Sequence, residues 1–298
     1  MQIVIVGVGK VGFTLASHLV AEGHNVAVID HNEAVLSQAG NTLDVIGYAG
    51  NGAAYSKRVT VVGAGTMGGG IATLLLMNGH HVTLFDPAEE SLAAARARAA
   101  KRNDETILGA RLQLSTDLVS AAAAADFVIE AVPEKLELKR SIFAQLDAAA
   151  PAHAILATNT SELSVTAIAG ATKRSDQVVG MHWFNPPERM ELVEMVRAVQ
   201  TSDATLAATE RLARSCGKTT VTVQDRQGFV TTRAVAALLL EGVRMLEEGV
   251  ASPRDIDTAV KLGLNHPMGP LELADYIGLD TMLLIAESMT DALGERFR

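Results

Sequence analysis

A histidine and a glutamate twelve positions apart are the side chains of this sequence best placed to move a proton: His182 and Glu194. His182 follows the apolar run 178–181, and Glu194 lies inside the next one, 192–196. On two neighbouring strands such a pair can form a dyad. The carboxylate accepts from one ring nitrogen, sets the tautomer and raises the basicity of the ring, and the other nitrogen stays free for proton transfer. The same spacing also suits a hydrogen-bonded core histidine beside a glutamate charge at a strand end. Two further polar residues stand where apolar runs stop: Glu134, after 127–132, and Ser161, after 154–157. In an open α/β sheet ligands lie beyond the carboxyl ends of the strands, so Glu134, Ser161 and His182 are expected at one site.

A nucleotide cradle precedes them. An apolar strand at 59–62 runs into Gly63-Ala64-Gly65-Thr66-Met67-Gly68, and Ile71, Leu74 and Leu75 follow at helical spacing. A second strand at 82–85 ends on Asp86, 23 residues after Gly63. Gly63 allows the tight turn, Gly65 lets the backbone approach a pyrophosphate, and Gly68 lets helix and strand pack closely. The first helical N–H groups, around Thr66 and Met67, face the phosphates, and the Asp86 carboxylate is placed to accept from the adenosine ribose. The same pattern occurs 56 residues earlier, with Gly7, Gly9, Gly12 and Asp30 in register. Only the second copy is continuous with His182, so Gly63 rather than Gly7 is expected to hold the working cofactor.

The bulk properties narrow the class. The chain has 298 residues, 48% hydrophobic and 20% charged, enough for two ordinary domains with a real core. A formal net charge of −9 argues against non-specific binding to nucleic acid or to an anionic membrane. Cys216 is the single cysteine, which excludes an intrachain disulfide. No apolar run reaches the roughly 18–20 residues of a membrane span. The apolar start lacks a basic leader and reads as a strand, so a cytoplasmic location is expected. No metal site is expected.

Strands alternating with helices predict an α/β fold: a Rossmann-type doubly wound parallel sheet, then an all-helical domain, with an extra N-terminal βαβ half-unit. The expected boundaries are 1–55 for the half-unit, 56–226 for the dinucleotide-binding domain and 227–298 for the helical domain. In the half-unit, a helical piece is expected near 33–38 and a third strand at 43–47, followed by Gly50-Asn51-Gly52. Such a piece has half a sheet, with an open edge and one unburied face. After Asp86 a helix is expected to about Arg102, and helices at 117–125 and 135–146. In the last part Ser252-Pro253-Arg254-Asp255 is a helix start, and helices are expected at 270–277 and 281–293.

Residues 58–298 resemble the L-3-hydroxyacyl-CoA dehydrogenases, of the bacterial 3-hydroxybutyryl-CoA dehydrogenase kind. The likeness rests on VVGAGTMGGGIA, VIEAVPE, ATNTSELSVTAIA, GMHWFNPPERMELVEMV and KLGLNHPMGPLELADYIGLD. It implies NAD on Gly63, Gly65, Thr66, Met67, Gly68 and Asp86, with nicotinamide-side contacts from Glu134, Lys139, Ser161 and Asn185. It implies His182 as general acid/base oriented by Glu194, Ser161 and Asn185 holding an acyl-CoA substrate, and a homodimer. Residues 1–55 are similar to the first half of the nucleotide-binding domain of the Trk potassium-uptake regulators, through VIVGVGKVGFTLASHLVAEGHNVAVID and NTLDVIGYAGNGAAY.

Three features depart from the dehydrogenase pattern. Where the family has Pro-Gly-Phe-x-x-Asn-Arg, this chain has Gln227-Gly228-Phe229-Val230-Thr231-Thr232-Arg233, so Thr232 replaces an active-site asparagine. The segment from Asp86 to Asp126 is shorter than the helical hairpin that usually meets coenzyme A. The sequence stops at Arg298, where the family continues with a further helix and a Gly/Lys-rich tail, so the helical domain is expected to be truncated. Two other readings follow: a non-catalytic nucleotide-binding or regulatory protein, and a dehydrogenase of a CoA-free 3-hydroxy acid.

Overall fold

The computed structural model describes residues 2–30, 33–43, 45–49 and 55–297. The chain opens with β1 (Gln2–Val6), α1 (Lys10–Ala21), β2 (Asn25–Asp30), α2 (Glu33–Thr42) and β3 (Val45–Ala49). These three strands form their own parallel sheet in the order β1-β2-β3. Ile5, Val26 and Val28 are buried on its covered face, whereas Val4 and Val6 on β1 are 60% and 57% exposed. The bare face expected of half a sheet is therefore present. Helix α2 is longer than expected and β3 starts two residues later; the glycines expected at 50 and 52 lie outside the described residues. Residues 55–57 are fastened to the turn at Gly79 and His80: Ser56 Oγ donates to the Gly79 carbonyl at 3.0 Å and Lys57 N to His80 Nδ1 at 3.2 Å.

The central unit runs through β4 (Arg58–Val62), α3 (Thr66–Met77), β5 (His81–Phe85), α4 (Glu89–Ala99), α5 (Glu105–Arg111), β6 (Leu112–Ser115), α6 (Leu118–Ala122), β7 (Phe127–Glu130) and α7 (Leu136–Ala149). It continues with β8 (Ile155–Thr158), α8 (Val165–Ala169), β9 (Val178–Trp183), β10 (Leu192–Arg197), α9 (Asp203–Ser215) and β11 (Thr219–Gln224). The sheet order is β11-β10-β9-β8-β7-β4-β5-β6. The strands leave β4 in both directions, so the switch point where such folds bind ligands falls between β4 and β7. Alternation along β4 fills both layers: Val59 and Val61 join Ile71 and Leu75 on one face, and Val62 joins Phe143 and Leu146 on the other.

The helix expected to run to Arg102 ends at Ala99, and α5 and β6 follow it, with Asp104 accepting from Ile107 N as the cap of α5. The sheet is largely parallel as expected, with β10 running antiparallel to β9. The last part consists of α10 (Thr231–Glu247), α11 (Pro253–Gly263), α12 (Pro270–Ile277) and α13 (Leu279–Leu293). Ser252 caps α11 by accepting from Asp255 N, and Pro253 opens it, as the residue types require. Gly228, at φ +70°, admits α13 to the junction, where an added Cβ would stand 2.1 Å from the Met289 methyl.

Candidate active site

The antiparallel turn between β9 and β10 builds the centre of the site. It places His182 directly opposite Glu194 in the ladder, with both side chains on one face. His182 Nδ1 and Glu194 Oε2 are 2.8 Å apart, and the two residues are 5% and 0% exposed. A buried glutamate needs more than one partner. Thr231, the first residue of α10, supplies them: its N donates to Oε1 at 3.0 Å and its Oγ1 to Oε2 at 2.9 Å, and Val230 N adds a 3.3 Å bond to Oε1. Burial alone would raise the Glu194 carboxyl, but the bonds from His182 and Thr231 outweigh it and hold the group below its ordinary value. Glu194 therefore stays ionised and keeps the proton of His182 on Nδ1, leaving Nε2 as the free nitrogen. Phe184 and Phe229 pack against the imidazole, with ring centroids 4.4 and 5.8 Å away.

Ser161 stands beyond β8, on a loop tied down by Glu134. Glu134 Oε1 accepts from Ser161 N at 2.7 Å, from Glu162 N at 3.3 Å and from the Thr160 hydroxyl. Lys139, expected at the nicotinamide side, is enclosed at 1% exposure. Its Nζ lies 2.7 Å from Glu130 Oε1 and 3.2 Å from Glu134 Oε2, and reaches the Val132 carbonyl at 3.2 Å. Lys139 thus reaches the loop of Ser161 through Glu134. Thr232 holds the same loop from the helical side, Oγ1 donating to the Ser161 carbonyl at 3.3 Å, which is a role within reach of the shorter side chain. Asn185 is exposed on the loop that joins β9 to β10. Thr231, Glu130 and Asn159, which accepts from Trp183 N at 2.9 Å, escaped the sequence reading. Thr231 is revealed by the contact of α10 with Glu194, Glu130 by its ion pair with Lys139, and Asn159 by the approach of the β8 end to β9.

The glycine turn is built for a dinucleotide. Gly63 has φ +103°, and a Cβ there would stand 2.8 Å from the Ala131 carbonyl oxygen. A Cβ on Gly68 would fall 1.8 Å from the Gly63 oxygen, so helix and strand could not close. At Gly65 the case is different: a Cβ would meet no protein atom within 4 Å, so the backbone there is open to an approaching group. Gly65 caps α3 without a side-chain hydrogen bond, so no capping side chain occupies the first N–H groups of the helix. Asp86 is held at the tip of β5, Oδ2 accepting from Ala64 N at 2.8 Å and Oδ1 from Ala88 N at 3.0 Å. The first unit repeats this in Gly7 at φ +87° and in Asp30, which accepts from Val8 N at 2.7 Å.

Glu162, next to Ser161, is the unusual acid of the site. Its Oε2 is buried without a hydrogen-bond partner. Burial and the Glu134 carboxylate push it up to about 7, and hydrogen bonding toward Ser288 and Gln227 offsets this only in part. A folded-state value above the unfolded one means the chain favours neutral Glu162, and its contribution to stability is lost as pH rises through about 7. Glu162→Gln should therefore melt close to the parent near pH 5 and above it at pH 8. Thermal melts at both values test this, and an equal gap at both would refute it.

A dinucleotide cradle beside a buried proton carrier is the equipment of a nicotinamide-dependent dehydrogenase, in which the cofactor handles hydride and the protein handles position and protons. The chain belongs to the 3-hydroxyacyl-CoA dehydrogenase family: residues 58–226 match its NAD binding domain and residues 228–298 its C-terminal domain. It is 42% identical over 251 residues to a probable 3-hydroxybutyryl-CoA dehydrogenase of Bacillus subtilis, covering 80% of this chain and 87% of that protein. It is 40% identical over 248 residues to the human mitochondrial hydroxyacyl-coenzyme A dehydrogenase, covering 78% and 79% of the two chains. The solved (S)-3-hydroxybutyryl-CoA dehydrogenase from Ralstonia eutropha superposes with a TM-score of 0.77 at 40% identity, covering 81% of this chain and 90% of that one. Residues 3–55 match the TrkA-N domain. The enzyme is thus an NAD-dependent oxidoreductase. Among the described residues no helix is long and apolar enough to cross a membrane.

Proposed function

We propose that the chain interconverts short-chain (S)-3-hydroxyacyl-CoA and 3-oxoacyl-CoA esters, with His182 moving the proton. The observation that carries this is the 2.8 Å bond from His182 Nδ1 to a fully buried Glu194, on strands whose ends meet the Ser161 loop. Bound NAD supplies the hydride acceptor. Gly63, Gly65, Thr66, Met67 and Gly68 hold its pyrophosphate, and Asp86 holds the adenosine ribose and repels a 2′-phosphate. Glu134 and Lys139 set the nicotinamide side. His182 Nε2 takes the proton of the 3-hydroxyl, and the imidazolium so formed is stabilised by Glu194. In the reverse direction it gives the proton back to the 3-oxygen. Ser161 and Asn185 hold the 3-oxygen and the thioester.

Loss of NADH with acetoacetyl-CoA tests the reading. Turnover is expected, with free acetoacetate a poor substitute. NADH that binds without being oxidised would leave a nucleotide-binding protein and remove the dehydrogenase. We also propose a homodimer in the cytoplasm. Tyr276, Leu279, Leu283 and Leu284 are 72%, 61%, 59% and 64% exposed at the turn from α12 into α13, an apolar face that a second copy would cover. A single-chain mass in light scattering would rule the dimer out.

A further inference from the structure

Asn185 belongs to an exposed loop, and a loop cannot by itself hold a substrate to the tolerance that catalysis needs. The segment from Phe184 to Glu191 is nevertheless anchored from two sides. From beneath comes Lys218, the residue just before β11, which is 8% exposed. Its Nζ donates to the Pro187 carbonyl at 2.7 Å and to the Met190 carbonyl at 2.7 Å. Both acceptors lie on the loop, so one ammonium fixes its two arms. Burial draws this ammonium below its ordinary value, and the Cys216, Glu188 and Glu191 side chains act in the opposite direction. From the side comes α3. A Cβ on Gly70 would stand 2.9 Å from Pro187 Cδ and 3.1 Å from Cγ, so Pro187 rests directly on the backbone of the helix that begins at the phosphate turn. Gly70 is at neither a turn nor a helix end. The close approach of the loop is what requires a glycine there.

We propose that Lys218 is a positioning residue, which with Gly70 clamps the β9–β10 loop onto the cofactor helix and so fixes Asn185 for its contact with the substrate. The proposal rests on the dehydrogenase reading and on the placement of Asn185 in it. Lys218 touches neither substrate nor cofactor and acts through the two carbonyls it binds. Through this contact a shift of α3 would be passed by Pro187 to Asn185.

The test is steady-state kinetics with acetoacetyl-CoA and NADH on the full chain and on Lys218→Met, Lys218→Arg, Gly70→Ala, Asn185→Ala and the Lys218→Met/Asn185→Ala pair. Lys218→Met is expected to lower kcat/KM for acetoacetyl-CoA by about 10²-fold, the scale of a misplaced reacting group. Its Kd for NADH should stay within about twofold of the parent, since the phosphate turn is untouched. Lys218→Arg, which keeps the donors, should recover most of the loss, and Gly70→Ala should lower the same parameter from the other side. The decisive readout is the cycle: Asn185→Ala should cost little more once Lys218 is Met, because Asn185 is already misplaced. Fully additive losses, or a Lys218→Met chain as active as the parent, overturn the proposal while the dehydrogenase reading stands. A parent chain that does not turn over overturns that reading first and the proposal with it. Should Lys218→Met fail to fold, Gly70→Ala, alone and combined with Asn185→Ala, carries the same cycle.

Discussion

Glu194→Gln is expected to lower kcat by about 10³-fold or more, close to the loss from His182→Ala, although it removes no atom of the ring. The reason lies in the donors around the carboxylate. Val230 N and Thr231 N point at Oε1, and neither can reverse. Glutamine has a single acceptor oxygen, which must face these two backbone N–H groups. Its NH2 then faces His182 Nδ1 and Thr231 Oγ1, the partners of Oε2 in the parent. Thr231 adapts by turning its hydroxyl. The imidazole adapts only by moving its proton to Nε2, so that Nδ1 accepts from the amide. The nitrogen that should take the substrate proton then already carries one. Nitrogen-15 spectra of the ring should show the Nε2–H tautomer in the variant and Nδ1–H in the parent. Both variants should bind NADH normally, and the double variant should be no slower than His182→Ala. A Glu194→Gln enzyme within tenfold of the parent would mean that the glutamate serves only to bury the histidine.

How much of this arrangement was legible beforehand differs from element to element. Gly63 and Gly68 of the glycine turn could be read from sequence because each answers a local steric demand: φ +103° at Gly63, a carbonyl 1.8 Å from a Cβ at Gly68. The capped helix starting at Pro253 was legible for the same kind of reason. The His182–Glu194 spacing admitted two readings, because a dyad and a packed histidine differ only in what the other face of the glutamate touches. That answer comes from Thr231, on a helix that reaches the sheet from the far side of the junction. No periodicity within β10 encodes it. The antiparallel turn into β10 was not legible because both strands are apolar runs, which carry no mark of direction. Nothing in the sequence marks Lys218, a lysine before a strand, or Gly70, the last of three consecutive glycines. Their partners are carbonyls and a proline ring, which leave no signature in side-chain type. Lys139 was placed at the cofactor by resemblance, while its burial follows from Glu130, an acid inside a fully buried strand. An acid in such a strand needs a cation within reach, and Lys139, one turn into α7, is the one that reaches it.

That pairing leads to the largest expected effect on stability. Lys139→Met should destabilise the chain by about 3–5 kcal/mol, the range for removing one partner of a buried ion pair. Lys139 and Glu130 are 1% and 0% exposed, so water cannot replace the lost ammonium. The remaining contacts of Glu130 do not compensate: Val132 N donates to Oε1 at 2.7 Å and Thr158 Oγ1 to Oε2 at 2.7 Å, but neither carries a charge. At roughly 2–4 °C per kcal/mol for a chain of this size, the thermal midpoint should fall by about 10 °C. The loss also reaches the active site. Glu134 is 32% exposed and gives up its 3.2 Å partner, so it is free to swing outward and release the N–H groups of Ser161 and Glu162. Activity at temperatures where the variant is fully folded should therefore fall as well. Adding Glu130→Gln to Lys139→Met separates the two consequences. The second change removes the stranded charge and should restore most of the midpoint. It does nothing for Glu134, so the defect in turnover should persist. A Lys139→Met chain that melts within about 2 °C of the parent would show that the pair contributes no net stability. A double variant that regains turnover together with stability would sever Lys139 from the Ser161 loop.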